Sequence, residues 1–155
     1  MKRRLILGIG LAMLLLLPKN TAGTDISKLE PVGALRAGTD RGRLTLETDT
    51  GQYGTGINLK EAVADINETA SGKVFLETAA YLLVTPSAVK WLPELAEELR
   101  PNCCVCLDVT GEELQSAAKY LEVHRPDVTL RLYRQGKGRL QVLYLREGRI
   151  HLGKP

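Results

Sequence analysis

The sequence predicts a single mixed α/β (α+β) domain, one β-sheet packed by about three helices, placed after a short amino-terminal export segment. Three observations carry this. Gly54 to Thr85 reads as a glycine-marked strand end, a capped amphipathic helix and then a long apolar strand region, the local order of an α/β unit. The chain downstream repeats that alternation of helix and strand. The composition, 44% apolar and 25% charged, is an ordinary globular balance that can bury a core. At 155 residues there is room for one domain, over 24–155, once the export segment is set aside.

The export segment is residues 1–23. Lys2, Arg3 and Arg4 precede the apolar run Leu5–Leu17, the charged and apolar regions of a secretory signal. That run has 13 residues, roughly 20 Å of helix at ~1.5 Å per residue, against about 30 Å for a hydrocarbon core. Pro18 ends it, and small residues at Ala22 and Gly23 offer cleavage points; an uncleaved signal anchor is the alternative. The expected location is outside the cytoplasmic membrane, on its outer face or secreted.

The elements follow in order. Thr24–Pro31 is a polar lead-in. Val32–Ala37 and Arg43–Thr48 read as strands around the turn Asp40-Arg41-Gly42. In the second of them Leu44 and Leu46 share one face while Thr45 and Glu47 share the other, one dry and one wet. Asp49-Thr50-Gly51 is a further turn, and Gln52–Gly56 a short strand weakened by its glycines. Gly51, Gly54 and Gly56 lack the spacing of a dinucleotide fingerprint and the Lys-Ser/Thr of a phosphate loop, so they read as turn and bulge glycines.

Asn58 caps the next helix, with Glu61 three residues on in a capping-box pattern. Leu59, Ala62, Val63, Ile66 and Ala70 make its apolar stripe, and Ser71-Gly72 stops it. Lys73–Glu77 and Ala80–Val84 are almost continuously apolar, as strands covered on both faces are. Thr85-Pro86 opens a helix with Val89, Leu92, Leu95, Ala96 and Leu99 on its inner face, kinked or divided at Pro93. Trp91 reads as a packing residue. CCVCLDV, from Cys103 to Val109, is a third core strand. Thr110 and Glu113 suggest another capping box before the stripe Leu114, Ala117, Ala118 and Leu121. Val128, Leu130 and Leu132 alternate as in a strand. Gly136-Lys137-Gly138 turns the chain into two last strands, Leu140–Leu145 and Arg149–Leu152.

Charge and chemistry narrow the function classes. The formal net charge is +3, but four of the 21 basic residues lie in 1–23. The remainder holds 17 basic against 18 acidic side chains, which gives no electrostatic case for nucleic-acid binding. The distribution is uneven: eight Lys/Arg from Arg125 onward face only Asp127 and Glu147. Arg131, Arg134 and Arg139 in this basic end are expected on carboxy-terminal strands, able to meet an anionic surface or an acidic partner. Cys103, Cys104 and Cys106 are the one reactive-looking cluster and the weak candidates for a metal or redox site. On a strand, however, Cys104 and Cys106 point to one face and Cys103 to the other, which prevents convergence. None of the four serines sits in a nucleophile elbow, and neither His124 nor His151 is spaced as a ligand to the cysteines or placed beside an orienting carboxylate. The residues therefore give no catalytic set and call for no cofactor. The expected class is a non-enzymatic domain, with an exported thiol-dependent protein or a small extracytoplasmic ligand-binding domain as alternatives.

The motif order, DISKLEPV (25–32), a strand to Asp40, LTLETDTG (44–51), GTGINLKEAV (54–63) and KVFLETAAYLLVT (73–85), is similar to the amino-terminal domain of the spore germinant-receptor C-subunit family. In that family a glycine precedes a helix whose start reads s-l-x-e-A. Gly56, Leu59, Glu61 and Ala62 hold the matching positions, followed by Val74–Val84. The tail from Thr129 to Gly153 resembles a shortened form of the segment that follows in such subunits. The resemblance covers about two thirds of the chain. Family members carry a lipid-anchor cysteine after the signal, absent here, and further domains, so the likeness is to a truncated form. It implies an interaction or assembly module at the outer face of the membrane, partnered by the membrane subunits of a receptor. It transfers no catalytic residue.

Overall fold

Residues 29–154 are described by a computed structural model; the export segment expected at 1–23 lies outside them. Two hairpins flank a parallel centre in a seven-stranded mixed sheet. β2 (Ala34–Asp40) turns into β3 (Arg43–Thr48), and β4 (Tyr53–Gly56) pairs antiparallel with β3. On the other side of β2 come the parallel strands β6 (Tyr81–Val84), β7 (Cys104–Asp108) and β8 (Gln141–Arg146), then β9 (Arg149–Gly153) antiparallel to β8. Both hairpins close on two-residue loops with positive φ at both positions, Arg41 and Gly42 at 48° and 81°, Glu147 and Gly148 at 52° and 70°. That geometry matches the right-handed twist of the flanking strands. A separate parallel pair joins β1 (Leu29–Pro31) to β5 (Lys73–Phe75).

Helices cover the sheet unequally. On one face lie α1 (Leu59–Thr69), α2 (Leu92–Glu98) and the short α4 (Leu130–Arg134). They bury Leu59, Ile66, Leu92, Leu95 and Leu130 against Leu35, Leu46, Leu82 and Val105. On the other face α3 (Leu114–Val123) works alone, setting Leu114, Ala117 and Leu121 on Ala34, Leu83, Cys106 and Leu143. Each fully buried leucine contributes about 1.5–3 kcal/mol by leaving water. The mixed α/β single domain expected from the sequence is what forms, with four α-helices.

Local sequence explains most boundaries. Asn58 Oδ1 accepts the Glu61 N–H at 2.9 Å, so Asn58 caps as expected, while Glu61 Oε2 accepts at 3.1 Å from Ile57 N–H, one residue before the cap, rather than from Asn58 as a strict capping box would have it. Pro93 divides its helix: Pro86–Trp91 is a 3-10 segment, and α2 starts at Leu92 with the proline in its first turn. Trp91 packs half-buried against the main core.

Five expectations are corrected. Val128–Leu132 is not a strand. It makes one bridge, Thr129 to Cys104, and then winds into α4 with Thr129 Oγ1 accepting the Leu132 N–H at 3.3 Å, a cap interaction that alternation of apolar residues does not reveal. Thr110 does not cap α3; its hydroxyl donates to Asp108 Oδ1 at 2.7 Å, and the helix begins only at Leu114. The apolar run from Lys73 pairs only as far as Phe75, outside the main sheet, because Leu76–Thr78 is a 3-10 turn whose Thr78 hydroxyl serves Val32. The lead-in ends in a strand, since Leu29–Pro31 is β1. Gly54 and Gly56 are neither turn nor bulge residues. A Cβ on Gly54 would stand 2.6 Å from Ile66 Cγ1 and 2.8 Å from Ile66 N, and one on Gly56 2.7 Å from Glu61 Cβ, so they admit the backbone of α1 onto β4.

The same helix shields the β4 edge, where Asp65 Oδ2 accepts the Thr55 N–H at 2.7 Å. At the opposite edge Tyr120 of α3 receives the Leu152 N–H of β9 at 3.2 Å. Side chains thus occupy a backbone donor on each outer strand, which blunts strand addition from outside.

Candidate functional site

β7 carries Cys104 and Cys106, Cys103 immediately precedes it, and the extended chain divides them as its period requires. Cys103 faces the α1–α2–α4 core, while Cys106 faces α3. All three thiols are free and buried. Burial pushes Cys103 up to about 12, with the neighbouring Cys104 adding to the rise and Arg100 opposing it. Burial likewise pushes Cys106 up to about 12, reinforced by Asp108 and the other two cysteines. A thiol held protonated is a poor nucleophile and a poor metal ligand. Cys104 Sγ accepts an N–H from Arg125 Nε at 3.0 Å, and the residue is only 1% exposed.

The structure therefore places Cys103 and Cys106 of the cluster Cys103, Cys104 and Cys106 in two different cores rather than together. Among the described residues no three His, Cys, Asp or Glu side chains converge on a point that would hold an ion. The histidines are engaged elsewhere: His124 stacks on Tyr120 with centroids 4.4 Å apart, and His151 on Tyr144 at 5.7 Å.

The basic carboxy-terminal residues are arranged differently from the sequence expectation. Arg131 and Arg134 lie on α4, not on a strand, and Arg139 sits in the loop before β8. All three are exposed. Arg131 and Arg134 occupy the last turn of α4, where cations offset the helix dipole. Because Leu143 of β8 faces α3, its neighbours Tyr144 and Arg146 point to the face that carries α4. Their cross-strand partners His151 and Arg149 share that face.

Arg146 and Arg149 stand directly opposite each other across the hairpin, a like-charge pairing that works against the strand pair by a few tenths of a kcal/mol or more. Sequence reasoning passed over both; the signal was the two-residue Glu147-Gly148 loop, which forces its flanking residues into register. Among the described residues, ion pairs are made only by Arg36, with Glu47 and Asp108. The cations of α4, the loop and the hairpin make no ion pair among the described residues. Arg139 and Lys154 also border a cleft of about 470 Å³, with Val128, Leu132 and the acid Asp127 on its wall.

This arrangement offers a set of exposed basic side chains on a helix, a loop and a hairpin. No family model matches the chain, and neither a curated protein nor a solved structure matches it.

Proposed function

We propose that the chain is an exported, non-enzymatic interaction domain that docks through its basic carboxy-terminal face onto an anionic surface, within a membrane assembly such as a spore germination receptor. The observation that carries this reading is the directly opposed Arg146–Arg149 pair, on the same face as the exposed α4 bearing Arg131 and Arg134. Such a concentration of like charge costs stability in the free domain and is relieved when an anionic partner arrives. The thiol-based alternative is disfavoured by the burial of all three cysteines. The receptor setting rests on the resemblance of Gly56, Leu59, Glu61 and Ala62 to that family's helix entry, and export on the amino-terminal segment.

The test is membrane association in sporulating cells of an endospore former. Wild-type chain is expected to sediment with membranes and to co-purify with receptor subunits. The Arg131→Glu/Arg134→Glu/Arg139→Glu variant is expected to lose at least tenfold of that association at unchanged abundance. Undiminished association of the variant would overturn the docking surface, and normal germination in a deletion strain would remove the receptor setting.

A further inference from the structure

A cleft lies beside the half of the sheet on which α3 does not pack. α3 packs on residues of β2, β6, β7 and β8, and neither β3 nor β4 contributes to that core. On this face Tyr53 of β4 is exposed and Glu47 of β3 half-buried, while Thr45 between them is buried at 9%. The cleft opens where β2 and β6 end, with a volume of about 270 Å³. Its floor is Gly38, where a Cβ would meet Thr45 Oγ1 at 2.8 Å. Thr85 and Ser87, their hydroxyls 3.0 Å apart, form one wall. The other wall is Glu47 and Tyr53, the latter 52% exposed.

Arg36 reaches the cleft already held in place. Its Nε donates to Asp108 Oδ2 at 2.8 Å, one Nη to Glu47 Oε2 at 3.1 Å and the other to the Glu112 carbonyl at 2.7 Å. A guanidinium has five N–H groups, so one remains unused on each Nη.

We propose that this cleft binds one ring of a saccharide. Hydroxyl-bearing side chains line it, Thr39, Thr45, Thr85, Ser87 and Tyr53, and each can donate and accept, as do the hydroxyls of a sugar. An exposed phenol ring supplies a flat amphipathic surface beside them. Other ligand classes fit less well. Glu47 and Asp108 outnumber Arg36, so the local charge disfavours a free anion. The lining is hydroxyl and charged groups with a single aromatic ring, which gives an apolar ligand little to bury against. The volume falls below the range of about 300–1,000 Å³ usual for drug-sized ligands, which suits a single ring with the rest of a chain left in solvent. The sugar side with an amino group is preferred, because Glu47 has a second carboxylate oxygen that Arg36 does not occupy.

The experiment is a backbone-amide chemical-shift titration of the full chain with glucosamine, glucose and, as a control, inorganic phosphate. Expected are saturable shifts centred on Thr45, Glu47, Tyr53, Thr85 and Ser87, with a dissociation constant on the order of 1 mM for glucosamine and weaker binding of glucose. Tyr53→Ala and Thr85→Val are each expected to weaken binding at least fivefold while leaving the spectrum folded. Shifts elsewhere, equal shifts with phosphate, no shift at high sugar concentration, or wild-type affinity in both variants would each overturn the assignment.

Discussion

The guanidinium of Arg36 on β2 reaches Asp108 on β7 at 2.8 Å, spanning the intervening strand β6. The carboxylate end of this pair is almost fully buried, with 2% of its side chain exposed against 15% for Arg36. Asp108 Oδ1 takes two more donors, the N–H and hydroxyl of Thr110, at 2.9 and 2.7 Å. The pair thus ties the end of β7 and the loop leading to α3 back to β2.

Breaking one partner is expected to cost more than removing both. Arg36→Met leaves a buried carboxylate with its cation gone and should lower stability by about 3–5 kcal/mol in urea unfolding. The double variant Arg36→Met/Asp108→Leu should recover at least half of that loss, because no uncompensated charge stays buried. Additive losses would show that the two residues act separately.

Gly54 is expected to be intolerant of a single methyl group. Gly54→Ala drives a Cβ into the backbone of α1 and should cost about 1–3 kcal/mol through overpacking. Gly111→Ala is a control of a different kind: nothing lies within 4 Å of its Cβ position, and only its positive φ of 66° is strained. A Gly54→Ala protein with the wild-type urea midpoint would refute the close helix–strand contact.

The cysteines give a pH dependence of defined sign. Cys103 and Cys106 stand at about 12 in the folded chain against an ordinary 9.0. Above pH 9 the unfolded state loses these protons first, so it binds fewer protons than the folded state and stability falls as pH rises toward 12. Below pH 9 the contribution is complete and constant. The urea midpoint is therefore expected to drop as pH rises from 9 toward 12, less so in Cys103→Ala/Cys106→Ala. A thiol reagent at pH 8 should react with these two residues only as fast as the chain unfolds. Rapid reaction in the native protein would restore a thiol-based reading.

Much of the fold was legible because it is written in local terms. Asn58 with Glu61, Pro86 and Pro93, and Arg41-Gly42 each act within a few residues, so their consequences can be read from the chain. The alternation of Cys103, Cys104 and Cys106 across β7 was legible for the same reason. Val128–Leu132 misled because a two-residue apolar period occurs both in a strand and in a short segment that buries Val128 and Leu130 before turning into α4; only the Thr129 cap and the space beside β7 separate them. The roles of Gly54 and Gly56 were hidden because they depend on where α1 lies.

The sequence by itself determined the secondary structure of the long elements, the mixed α/β class and the division of the cysteines, since periodicity, caps and turn residues specify these over short distances. The tertiary structure alone decided which strands are neighbours, that Arg36 meets Asp108 seventy-two residues away, that Arg146 stands opposite Arg149, and that α3 packs on β2, β6, β7 and β8 but not on β3 or β4. Those relationships arise from packing helices on both faces of a shared sheet. Burial and long-range register set them, and no local pattern encodes either.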